Sequence, residues 1–287
     1  MSKALKIIVP IIILLTIVAA LGGLWPAEGS PYETLNFRGE RIIVNARGLY
    51  YWDTLSSAAQ MQANDLVALV IGVPLLLVGY FATLRGSLRG RLLLAGSLGF
   101  VLYTYLTMCV GAAFNPLFLI YVALFSLSLW AFVMSLMGVK IDELPTRFKE
   151  SLPRKSVAAL LIFAAAFLGL AWLGRIAAAM KPGAVPELEN ATSMFIQAMD
   201  LGLVAPACVV AAVLLLKRRP WGYLLASVGM VKFLTLGLAV SLMGLNMVRV
   251  GVDPGLPMLV IFIGMALANL VLTALMLAAV KPAGKAD

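Results

Sequence analysis

Lys232 stands in the middle of Ser227–Leu236, a stretch with no other charged residue. A lysine near the centre of a bilayer costs at least about 2.5–3.5 kcal/mol, so it is expected to turn inward and to find polar company. Two carboxylates lie in comparable surroundings. One is Asp65, in Gln62-Ala63-Asn64-Asp65-Leu66; the other is Asp200, in Gln197-Ala198-Met199-Asp200-Leu201. Such groups suit three kinds of chemistry. They bind a proton or a cation, they form an ion pair that fixes helix packing, or the desolvated lysine serves as a nucleophile or Schiff-base partner. Several common schemes are disfavoured. The chain has no histidine, which removes the commonest general base and metal ligand. Cys109 and Cys208 lie in separate apolar runs without a CxxC neighbour and read as small buried hydrophobes. No Walker loop, HExxH, GxSxG or CxxCH run stands out.

The residues around these charges are those of a membrane protein. Of 287 residues, 62% are hydrophobic and 12% charged, against about 45–50% and 25% in soluble domains. A spanning helix needs about 20 apolar residues. Eight candidates fit, at about 5–24, 63–83, 92–112, 116–138, 156–176, 196–216, 221–244 and 257–279. The first resembles a signal peptide in having Lys3 and Lys6 ahead of an apolar stretch, but its run from Ile7 to Leu24 is long for one, and it is read as retained. The net charge of +9 would suggest nucleic acid in a soluble protein. Here fifteen of the 22 basic residues fall on one side of the spans and six on the other, with Lys232 between. That asymmetry predicts both termini in the cytoplasm. The expected partners are the lipid bilayer and a small solute or ion, with no nucleic acid; the sequence names neither cofactor nor protein partner.

The largest outer segment, residues 25–62, predicts a hairpin. Thr34–Phe37 and Arg41–Asn45 flank a turn containing Gly39, and Tyr50-Tyr51-Trp52 follow as an interfacial anchor. The two halves also resemble each other. The Gln-Ala-x-Asp-Leu runs are followed by Pro74 and Pro206 and by the basic turns Arg85–Arg91 and Lys217–Arg219. Gly90 then parallels Gly222, Thr104 parallels Thr235, and Asn115-Pro116 parallels Asp253-Pro254. The expected organisation is an all-α integral membrane protein of two parallel four-helix repeats, residues 1–139 and 156–287, joined by a cytoplasmic linker at 140–155.

Helical rise places the charges in depth. Lys232 comes about 17 Å above the inner surface, Asp200 about 24 Å and Asp65 about 28 Å. An Asp200–Lys232 contact is feasible and an Asp65–Lys232 contact less so, given the reach of a lysine stem. Gln60, Gln62, Asn64 and Gln197 on the aspartate helices, Tyr103, Thr104 and Tyr105 on the third span, and Asn115 at the start of the fourth complete the candidate set. Clustered in one outward-facing cavity, these groups would satisfy one another.

Several stretches together resemble a group of uncharacterised polytopic membrane proteins of bacteria and archaea. They are Gly48-Leu49-Tyr50-Tyr51-Trp52-Asp53, Ala59-Gln60 with Asn64-Asp65-Leu66, Leu84–Arg89, Leu102-Tyr103-Thr104-Tyr105, Gly111–Asn115 and Arg218–Tyr223 followed by Val231-Lys232. The resemblance implies a prokaryotic cytoplasmic membrane and carries no activity. The expected function is a small-solute or ion transporter. The alternatives are a membrane-embedded enzyme or lipid- or quinone-binding protein, and a structural or assembly subunit.

Overall fold

The computed structural model describes residues 1–282; Lys285, counted on the basic side, lies outside the described residues. Among the described residues eight helices are long and apolar enough to cross a membrane, which makes the chain a multi-pass membrane protein. They are α1 Lys3–Leu24, α2 Leu55–Leu84, α3 Leu88–Gly111, α4 Phe118–Met137, α5 Arg154–Ala179, α6 Phe195–Leu216, α7 Pro220–Arg249 and α8 Pro257–Ala278. Between α1 and α2, β1 (Tyr32–Leu35) pairs antiparallel with β2 (Arg41–Val44). The first strand ends two residues earlier than expected. The Asn36 side-chain oxygen accepts from the Arg38 and Glu40 backbone N–H groups and closes the turn there.

Helix α2 begins eight residues before the predicted 63, because hydropathy cannot see a polar helical turn. Thr54 caps it through Ser57 N–H, and Ser56, Ser57 and Gln60 occupy its first turns. Helix α7 likewise runs five residues past the predicted 244, to Arg249.

Each group of four helices closes on itself. Helix α2 packs on α1 and α3, and α4 on α1 and α3; α6 packs on α5 and α7, and α8 on α5 and α7. The groups meet where α7 lies along both α2 and α3. The corresponding approach of α6 to α3 is confined mainly to the first turn of α6. That difference leaves space between α3 and α6.

Local details recur in both halves. Helix α2 contains a π turn at Ala68–Gly72 and α6 one at Asp200–Val204, each followed two residues later by Pro74 or Pro206. A left-handed residue, Gly86 or Arg218, then ends each helix. Asn115 and Asp253 each accept a backbone N–H two residues on, from Leu117 and Gly255. The π turn, the proline and the left-handed residue repeat at one spacing, which pairs Gly90 with Gly222 but pairs Asp200 with Ala68. Asp65 is nine residues before its proline and Asp200 six.

Residues 140–155 are a packed segment. Leu144, Phe148 and Leu152 are buried, the Phe148 ring lies 5.2 Å from that of Tyr223, and Lys149 N–H donates to Ala279.

Candidate functional site

The space between α3 and α6 is a cavity of about 1020 Å³. This is at the upper end of the range of ligand pockets. One wall is polar: Ser56, Gln60 and Asn64 of α2 with Thr104 and Thr107 of α3. Another part of the lining is apolar, formed by Phe233, Met243 and Met247 of α7 and Phe262 and Met265 of α8. Five carboxylates line it, Asp53, Glu187, Glu189, Asp200 and Asp253, against one cation, Arg175. In a chain with 22 basic and 13 acidic residues, that reversal of sign marks the cavity as a place for positive charge.

Asp200 is the deep group. It is 5% exposed and opens the π turn of α6; such turns often mark functional positions. Tyr103 of α3 donates its hydroxyl to one carboxylate oxygen at 2.7 Å, and Trp172 of α5 donates its indole N–H to the other at 2.9 Å. Lys232 approaches the same tyrosine from behind. Its Nζ lies 4.1 Å from the centre of the Tyr103 ring and 4.9 Å from that of Phe233, a cation–π arrangement. The Lys232 stem is half-buried, but its nitrogen is fully buried and has no hydrogen-bond partner among the described residues. Asp200 and Lys232 therefore communicate through one ring rather than through an ion pair of direct contact. The relay Lys232–Tyr103–Asp200–Trp172 joins α7, α3, α6 and α5.

The structure divides the expected cluster. Asp200, Gln197, Tyr103, Thr104, Gln60 and Asn64 line the cavity. Lys232 lies behind its floor. Asp65, Tyr105 and Asn115 are buried elsewhere, and half-buried Gln62 is not part of the wall. The cause is helical phase. Asp65 precedes the π turn of its helix and Asp200 opens its own, so the three-residue offset turns the two carboxylates to different neighbours. Sequence reasoning missed Trp172, Asp53, Glu187, Glu189 and Asp253 as lining residues. A tryptophan in an apolar run is ordinary in membrane proteins, but four carboxylates in the hairpin-side loops and turns of an acid-poor chain were a usable signal.

A strap crosses the mouth. Asn36 and Arg38 of the hairpin donate to the Glu189 carbonyl at 2.8 and 2.7 Å, and Arg38 donates to the Ala191 carbonyl at 2.9 Å. The Glu189 carboxylate accepts from Thr54 and Ser57. The loop before α6 is thereby tied to the first half.

Asp53 guards the rim. One oxygen accepts from Ala113 N–H at 2.9 Å, and the other is buried without a partner among the described residues. Burial pushes this carboxyl up to about 6, opposed by the Ala113 hydrogen bond. The folded state holds the proton more tightly than the unfolded state, so stability from this group is complete below the ordinary carboxylate range. It is lost as pH rises through about 6. Thermal unfolding of the wild type is expected to shift down as pH rises through that window, and Asp53→Asn to flatten this component. An equal pH slope in the variant would remove Asp53 as its source.

No family model, no curated protein and no solved structure matches the chain.

Proposed function

We propose that the chain is a transporter for a small organic cation or inorganic monovalent ion, entered from the hairpin side. The observation that carries this reading is the deeply placed Asp200, held open to an acid-lined cavity by Tyr103 and Trp172. A carboxylate whose two oxygens already accept neutral donors keeps lone pairs free for a cation. Lys232 supplies an internal counter-charge that holds Asp200 when the cavity is empty. An entering cation competes with it through the shared tyrosine.

The recurring π turn, proline and left-handed turn support descent of the halves from one four-helix unit. Four spans per unit gives both halves the same orientation, as in parallel-repeat transporters. Relative rocking about the α3–α7 contact would then open and close the cavity. The excess of basic residues on the side away from the hairpin supports a cytoplasmic placement of both termini, in a prokaryotic cytoplasmic membrane.

The test is uptake of radiolabelled methylammonium and tetraethylammonium into proteoliposomes. Loss of a hydrogen-bonded charge contact is worth about 1.5–3 kcal/mol. Asp200→Asn is therefore expected to reduce uptake by about tenfold to a hundredfold, and Lys232→Met to raise the apparent affinity while slowing turnover. Wild-type flux in both variants would reject the assignment. The Met- and Phe-rich wall favours one other reading, a lipid or quinone bound with its apolar part against α7 and α8. Native mass spectra carrying such a molecule, with no cation flux, would select it.

A further inference from the structure

The second buried carboxylate, Asp65, lies outside the cavity and takes no part in the reading above. It is 1% exposed, in the interior of the first four helices. Tyr50 donates its hydroxyl to Oδ2 at 2.5 Å. No cation pairs with it; among the described residues the ion pairs are Arg38–Glu40 and Lys140–Glu143.

The groups facing it can be named element by element. Helix α1 brings Thr16 and the backbone of Gly23, the outer segment brings Tyr50, α3 brings Tyr105 and α4 brings Tyr121. Helix α7, also packed on α2, sends its Asn246 amide to the Ala59 carbonyl at 2.7 Å, almost two turns from Asp65. The other titratable group within electrostatic reach of this cluster is Asp53, which acts on Tyr121 and adds negative charge. The Tyr105 and Tyr121 rings stack at 5.9 Å. Their hydroxyls, and that of Thr16, are buried with no hydrogen-bond partner among the described residues.

An ionised carboxylate held by one phenol in such an interior would leave its charge uncompensated, at a cost of several kcal/mol. A single positive charge must accompany it. Hard metal cations require a shell of oxygens and the room to hold it. Here the Gly23 backbone presses on the carboxylate: a Cβ at that position would overlap Oδ2 and come 2.8 Å from the Tyr50 hydroxyl. A hydron needs no shell.

We infer that Asp65 is a hydron-binding site, a neutral carboxylic acid in this conformation. Oδ2 accepts from Tyr50, and Oδ1 carries the hydron. Release breaks the Oδ1–H bond; the hydron passes to water, the electron pair stays on the carboxylate and the Tyr50 phenol remains intact. The nearest solvent-lined surface is the cavity, which the adjacent Asn64 reaches from the same helix. Burial keeps the Tyr50 hydroxyl protonated well above the ordinary tyrosine range, so it remains the donor.

The experiment is infrared difference spectroscopy of the full chain in lipid, in H2O and D2O. A carboxylic-acid carbonyl band that shifts on deuteration is expected in the wild type, retained in Asp200→Asn and lost in Asp65→Asn. If Asp65→Asn does not fold, Tyr50→Phe serves instead: the same band persists and moves to higher frequency, because the carbonyl has lost its donor. Loss of a carboxylate band in Asp65→Asn would overturn the inference, as would an acid band that appears only when sodium is withdrawn. A band that is unmoved in Tyr50→Phe would overturn it too. The result does not depend on whether the cavity transports a cation.

Discussion

Asp200→Asn and Lys232→Met are each expected to destabilise the protein by about 3 kcal/mol, while the double variant loses about 1 kcal/mol or less. The sign follows from the relay. The Lys232 nitrogen has no hydrogen-bond partner among the described residues and rests on the Tyr103 face at 4.1 Å. The other end of that tyrosine donates to Asp200, the carboxylate whose field reaches the lysine. Removing either charge leaves the other buried and uncompensated; removing both leaves two neutral side chains of similar volume. Buried pairs behave in this way because desolvation of a lone charge outweighs what the pair gains over apolar replacements. The coupling is read from a double-mutant cycle on equilibrium unfolding in mixed micelles. Additive losses would mean that the two charges do not sense each other, and the relay would lose its electrostatic role.

Gly222→Val is expected to abolish most folded protein in detergent, with a loss of about 3 kcal/mol or more in whatever survives. A Cβ on Gly222 would overlap the backbone of Leu214 and Leu215, at the turn where α7 folds back on α6. Backbone has no rotamer to yield, and small residues are what allow membrane helices to approach this closely. Gly90 makes the matching contact against Ala82 and Thr83, so Gly90→Val should behave alike. Gly264, where an added Cβ meets nothing within 4 Å, is the control; its replacement by alanine should stay within about 0.5 kcal/mol. Size-exclusion profiles and unfolding midpoints decide the matter. A well-folded Gly222→Val protein would show that the α6–α7 hairpin has slack.

The spans were legible because a bilayer imposes length and apolarity on every crossing helix, and eight runs met both conditions. The burial of the Lys232 ammonium followed from the same solvent argument. The partition of the polar residues was not legible. It depends on a π turn in α2 and another in α6, each adding a residue to one turn without any marker in composition. Matching the two Gln-Ala-x-Asp-Leu runs suggested equivalent aspartates, yet Asp65 meets Tyr50 and Asp200 meets Tyr103 and Trp172. The early start of α2 was hidden for a related reason. Its first turns face the cavity and α7 rather than lipid, so their polarity is compatible with a helix although it lowers hydropathy.

Helices α2 and α7 have 30 residues each, about 45 Å of helix against a hydrocarbon slab of roughly 30 Å. Both are pinned by tight turns on the basic side, so the surplus length rises on the hairpin side, where they brace one another through Asn246 and Ala59. Their ends on that side form a pair of braced posts, and the hairpin clasps the loop before α6. A helix longer than the slab either tilts within it or projects beyond it. Under the transport reading proposed above, a projecting pair would set the acidic lining apart from the surface charge of the surrounding leaflet, and a tilted pair would not.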